Sequence, residues 1–313
     1  MKRKRSLIRR WLHFYFRKTR KRHLFSIIIP WIFIALTLAA HIWLATSLQP
    51  LQSKDGDAKG YTQLAVNLLE QGTFSLDEAP PFQPTYVRLP GYPIFLAGVY
   101  YFFGSGNNLA VATVQSILDT VTCILAAMIA LNWEQDDRRK RRAAWLAFML
   151  MALCPLTAAY ASMILTESLA TFLLTAVVLS ATLAVKTQNR RAAAFWWVMA
   201  GVVSGLAVLV RPDSGLFALG AGIWLVIVSL FFSRAEGSSI ARRLTPTILF
   251  GGIFTIAFLL PLVPWTIRNE RVFGLFQPLA PAHAEGPGEF VPFGYFRWVR
   301  TWIDDQRYIG PVL

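Results

Sequence analysis

Charged side chains are scarce. Lys, Arg, Asp and Glu together make up 15% of the 313 residues, where a soluble domain carries nearer a quarter. With 55% hydrophobic side chains gathered in long blocks, that shortage excludes an ordinary water-soluble domain and leaves a membrane-embedded one. Cysteine is nearly missing: Cys123 and Cys154 both lie in apolar runs, so they read as small buried hydrophobes and no disulfide framework is indicated. Histidine is almost as rare, and His13, His23, His41 and His283 are scattered with no metal-ligand spacing. HExxH, GxxxxGK[ST], GxSxG and CxxC are all absent, so metalloprotease, P-loop and serine-hydrolase readings lack their motifs. No repeat of fixed period is visible, nor any low-complexity segment beyond the N-terminus.

Acids are the scarcer charge, 17 against 31 Lys and Arg, giving a net +14. The placement of the excess argues for a membrane rather than nucleic acid. Met1 to Arg22 carries eleven Lys or Arg and no acid, directly before an apolar run. That is the pattern of cytoplasmic anchoring beside anionic lipid. Residues 1–25 are thus a basic cytoplasmic N-terminus. The run from Ser26 to Thr46 is longer than a signal-peptide core and further apolar runs follow it, so it reads as a retained signal anchor.

A span needs about 20 mostly apolar residues. The sequence predicts seven: Ser26 to Thr46, Asn108 to Trp133, Ala143 to about Tyr160, Glu167 to Val185, Ala192 to Val210, Gly215 to Phe232 and Leu244 to Trp265. Counting from a cytoplasmic N-terminus, alternate loops should be basic. The N-terminus, EQDDRRKRR, KTQNRR and the loop with Arg234, Arg242 and Arg243 hold 22 of the 31 basic residues and four of the 17 acids. The fold class is therefore all-α: a polytopic membrane protein with about seven transmembrane helices. Residues 26–265 form the transmembrane domain with an outer loop at 47–107, and 266–313 form an outer-face C-terminal segment.

The outer loop predicts two interfacial helices. Tyr61, Leu64, Ala65, Leu68 and Leu69 fall at helical spacing, with Asp57 placed to cap the start and Gly72 to end it. PGYPIFLAGVYYFFG, residues 90–104, is apolar and aromatic but too short to span.

Several residues could carry chemistry. Asp57 stands just beyond the first span, where a carboxylate can take a proton from an arriving nucleophile; the plain alternative is an ordinary helix cap. Asp55 shares that role or is merely solvated. Glu167, in TESLATF, opens a span, where an ionisable group is costly and functional by default; its alternative is a helix-start carboxylate with Thr166 as cap. Asp119, within the second span, could pair with an arginine or serve packing. Arg88, Arg211 and Arg268 converge on the same face, at the depth of a lipid phosphate; taken singly, each could be a snorkelling side chain. Trp265 and Tyr92 read as aromatics of the interfacial belt.

The ordered strings DAKGYTQLAVNLLEQGTFS, RLPGYPIFLAG, TESLATF, GLAVLVRPD and PWTIRNERVFG resemble the membrane glycosyltransferases of the GT-C fold, nearest the dolichyl-phosphate-mannose protein mannosyltransferase-like group that includes the aminoarabinose transferases of lipid A. The resemblance covers residues 26 to about 280. It implies transfer of a sugar, with inversion, from a polyprenyl-phosphate donor to a lipid, glycan or protein acceptor on the outer face, in a bacterial inner membrane. Asp57, four residues before Tyr61, would be the catalytic carboxylate and Glu167 the second acid. Asp55, Tyr61, Arg88, Tyr92, Arg211 and Arg268 would bind substrate. No cofactor, bound catalytic metal or nucleic acid is implied; the partners are donor, acceptor and membrane lipids. Family members commonly have further spans and a soluble outer domain, so the chain reads as a short or truncated member. Two other readings compete: a non-enzymatic carrier or flippase of a polar lipid headgroup, and an inactive truncated relative. A carrier usually shows repeated halves and broken mid-membrane helices, and neither is visible in the sequence.

Overall fold

A computed structural model describes residues 28–48, 56–231, 240–280 and 298. The basic N-terminus, Asp55, the 232–239 loop and nearly all of the C-terminal segment lie outside the described residues. Within them the chain is helical and has no strand. The helices are α1 (Ile28–Leu48), α2 (Asp57–Glu70), α3 (Gly91–Phe103), α4 (Asn108–Trp133), α5 (Asp137–Ala152), α6 (Pro155–Tyr160), α7 (Glu167–Lys186), α8 (Arg190–Val210), α9 (Ser214–Phe231), α10 (Ile240–Leu259) and α11 (Leu262–Phe273).

The all-α class holds, but the count of seven spans is not confirmed. Among the described residues α1, α4, α7 and α8 are long and apolar enough to cross a membrane, and Thr247–Leu259 with Leu262–Phe273 makes a fifth if that bent pair is one span. Two expected spans are interrupted, each at proline. The third stops at Ala152, because Pro155 cannot donate to a helical ladder and keeps Cys154 extended (φ −71°, ψ 111°). The seventh breaks beside Pro261, and its two halves bend by 43°. The bend lies against α8 at Gly205, where a Cβ would clash with the Phe258 carbonyl oxygen. The second half then runs to Phe273, past the expected end at Trp265.

Both helices of the first loop are present. Gly72 follows the end of α2 with φ +66°, as a helix-ending glycine should. The expected cap is not made: Gly56 holds the cap position, and Asp57 is already the first helical residue, with no side-chain bond to the amides of its own helix. Thr166 holds the cap position of α7, also without a side-chain capping bond.

The two loop helices pack on each other, and α3 meets α4 and α8. Gly91 allows that approach: a Cβ there would lie 2.6 Å from the Leu209 carbonyl oxygen. One core joins Ala65, Tyr92, Leu96, Tyr100, Val111, Leu169 and Val210, tying α2 and α3 to α4, α7 and α8. A second joins Phe74, Tyr86 and Leu89 to Leu209, Leu262 and Trp265. Tyr92 and Trp265 are buried in these cores rather than set in an interfacial belt. The loop between α1 and α4 therefore covers one end of the helix bundle, bringing the start of α2, the start of α7 and the end of α8 together.

Candidate functional site

Asp57, on the first turn of α2, is turned towards the loop before α3. Arg88 Nη2 donates to its Oδ1 at 2.6 Å. One turn further, Tyr61 packs edge-on against Tyr92, with ring centroids 5.1 Å apart. Tyr92 is fixed from below, since its hydroxyl donates to Gln115 Oε1 of α4 at 2.9 Å.

Glu167 opens α7 and is met by Arg211 from the end of α8, Nη1 to Oε1 at 2.8 Å. Asp213 holds the other edge of that guanidinium through Nε and Nη2, with Nη2 to Oδ2 at 3.0 Å. Thr166 Oγ1 accepts from Nη1 at 3.2 Å. Proline explains why the arginine can reach back: Pro212 ends α8, and Arg211 is extended (φ −145°, ψ 123°). Arg211 beside Asp213 holds that carboxyl below its ordinary value of 3.8.

Both ion pairs act on Tyr61. Burial and the Asp57 charge raise its phenol above the ordinary value of 10.0, Arg88 opposes them, and Glu167 and Arg211 also act on it. Asp57, Glu167 and two of the three arginines singled out in the sequence therefore act electrostatically on one tyrosine. A tyrosine so placed stays protonated near neutrality and can donate or accept a hydrogen bond.

Arg268 is placed differently. Its guanidinium lies over the rings of Trp265, Phe273 and Phe74 at 5.0, 5.1 and 5.7 Å. Nη1 donates to the Thr85 carbonyl at 2.7 Å and to Asn269 Oδ1 at 2.9 Å. Among the described residues it has no carboxylate partner, unlike Arg88 and Arg211. It thus braces the loop that carries Arg88, three residues after Thr85, and keeps part of a guanidinium free of acid. Asp55 lies outside the described residues.

Sequence reasoning missed Asp213 and Gln115. The first was legible as a carboxylate two residues after Arg211 in RPD. The second gave no signal, because a lone glutamine in an apolar run shows nothing of the two helices it joins. Asp119 pairs with a histidine, His41 of α1, and not with an arginine. Among the described residues no three His, Cys, Asp or Glu side chains gather as a metal site.

Arginine–carboxylate pairs thus lie at one end of an apolar helix bundle. The sequence profile of the family described as dolichyl-phosphate-mannose-protein mannosyltransferase matches residues 61–276. The chain belongs to this family. The match opens at Tyr61, so Asp57 stands four residues before it. No curated protein matches the chain. Among solved structures, ArnT from Cupriavidus metallidurans in its apo state is similar at a TM-score of 0.55 and 16% identity, over 79% of this chain and 44% of ArnT. This mannosyltransferase-family chain thus has the GT-C fold of an integral membrane protein, and it spans less than half the length of that relative.

Proposed function

We propose that the chain is an integral-membrane glycosyltransferase that moves a sugar from a polyprenyl-phosphate donor to a lipid, glycan or protein acceptor, with inversion. The carrying observation is the two arginine–carboxylate pairs, Asp57–Arg88 and Glu167–Arg211, both acting on the Tyr61 phenol. Family membership supplies the reaction class.

Asp57 is the catalytic carboxylate in this reading. Its Oδ1 is held by Arg88, leaving Oδ2 to take the proton of the acceptor hydroxyl or amine. The freed electron pair attacks the anomeric carbon from the face opposite the phosphate. The bond from that carbon to the phosphate oxygen breaks, and the lipid phosphate leaves with its electrons. Arginine guanidinium groups stabilise the growing phosphate charge. Arg88 and Arg268 are the nearest to free for that task, since Glu167 and Asp213 occupy Arg211. Glu167 orients Arg211, and Tyr61 closes the floor of the site. The reading keeps the N-terminus cytoplasmic and the site on the outer face, on the strength of the basic alternate loops, and sets the chain in a bacterial inner membrane by its resemblance to the aminoarabinose transferases.

The test is transfer by purified chain in liposomes containing a radiolabelled polyprenyl-phosphate sugar and a crude envelope acceptor fraction. Label moved into a new glycosidic bond supports the reading. Label that crosses the bilayer without a new bond supports a carrier, and label that does neither supports an inactive relative.

A further inference from the structure

A second polar cluster lies deeper in the bundle, and the proposed reaction does not use it. His41 of α1 and Asp119 of α4 are both nearly fully buried. Nδ1 and Oδ2 face each other at 3.0 Å, and neither has another hydrogen-bonding partner among the described residues. The neighbouring hydroxyls do not help, because Ser116, Thr120 and Thr122 each donate to a carbonyl of their own helix. His41 Nε2 lies 3.1 Å from the carbonyl oxygen of Ala152, the last residue of α5.

That geometry fixes the protons. A carbonyl only accepts, so Nε2 carries a hydrogen when it bonds Ala152. Nδ1 then faces a carboxyl oxygen, and one proton between the two atoms gives a donor and an acceptor. Two protons or none would leave like partners opposed in an apolar interior.

The location gives the pair a task. Ala152 is where the third span breaks, and the stretch 153–166, non-helical apart from the short α6, leads from there to Glu167. Irregular backbone at membrane depth persists only where the protein satisfies its polar groups. Gln115, one turn from Asp119 on the same face of α4, holds the upper part of the stretch by donating to the Ala161 and Met163 carbonyls at 3.0 and 2.7 Å. His41 holds the lower end. The first span has little else to fix it, since His41 and Ala45 are its only buried residues among those described. It runs beside α5 in the same direction, because Phe33 meets Trp145 edge-on at 5.3 Å and His41 meets Ala152.

We propose that His41, Asp119 and the Ala152 carbonyl form a one-proton lock that anchors the first span to the break in the third, making His41 and Asp119 positioning residues for Glu167. Only the kinetic arm of the test rests on the glycosyltransferase reading.

The structural arm uses Phe33→Cys with Trp145→Cys, in a chain carrying Cys123→Ala and Cys154→Ala, oxidised in native membranes. The intact lock gives efficient cross-linking of α1 to α5. His41→Leu strands a carboxylate and frees the Ala152 carbonyl, and should lower the yield about fivefold or more. Adding Asp119→Leu removes the stranded charge and should restore much of that yield, because an apolar pair often replaces a buried ion pair without loss. Yields unchanged by His41→Leu, or losses that simply multiply in the double variant, would overturn the lock. In the kinetic arm, His41→Leu should lower kcat more than it raises the donor KM, with kcat regained in the double variant. Cross-linking as expected in a chain that transfers no sugar would end the function reading and leave the lock standing. Active variants that all cross-link alike would do the reverse.

Discussion

Arg88 reaches Asp57 across 31 residues of sequence, with Nη2 2.6 Å from Oδ1. The two side chains are 35% and 55% exposed, so the pair contributes at most about 1 kcal/mol to the fold. Its value lies in placement: it holds one oxygen of the carboxylate and leaves the other open. Arg88→Ala should therefore change thermal stability by less than about 1 kcal/mol while lowering sugar transfer about 10²-fold. Equal losses of stability and turnover would make the pair structural.

Arg211 is bound along two edges, by Asp213 and by Glu167 with Thr166. Lysine carries the charge without the planar fork. Arg211→Lys should behave like Arg211→Ala in transfer assays, and Glu167→Gln should show a milder loss. A lysine variant as active as wild type would mean that charge alone matters.

The Asp213 carboxyl is held below its ordinary 3.8 by Arg211. A depressed carboxyl adds stability that is fully present above the unfolded value and is lost as pH falls through the folded one. The thermal midpoint of wild type should thus exceed that of Asp213→Asn near neutrality, and the gap should close as the pH drops below 3.8. A gap independent of pH would remove the ionised carboxylate from the account.

Gly91 admits α3 against the end of α8, where an added Cβ would sit 2.6 Å from the Leu209 carbonyl oxygen. Both sides of that contact are backbone. Gly91→Ala should cost about 1–3 kcal/mol, as overpacking does, read as a lower thermal midpoint in detergent. An unchanged midpoint would mean that the loop helices rest loosely on the bundle.

The legible parts were those with a repeating physical signal. Residues 108–133 and 167–186 announced their helices by apolar length, and Gly72 and Gly104 marked the ends of α2 and α3. The breaks in the third and seventh spans were not read because an apolar run hides the prolines inside it; Pro155 and Pro261 were the available clues. Of the residues proposed for the site, Asp57, Arg88, Glu167 and Arg211 stood out as candidates because charge beside an apolar run is costly, and Tyr61 by its helical spacing. Which acid meets which arginine was not legible, since Arg88 and Asp57 are joined only by the folding of the loop. Nor was the His41–Asp119 pair, whose members are 78 residues apart in sequence.

The most direct test of the central claim is single-turnover sugar transfer from a polyprenyl-phosphate donor by wild type and Asp57→Asn, in liposomes of matched protein content. The account predicts transfer by wild type and a loss of about 10²–10⁴-fold in the variant, with donor binding retained. Turnover by Asp57→Asn at the wild-type rate would contradict it.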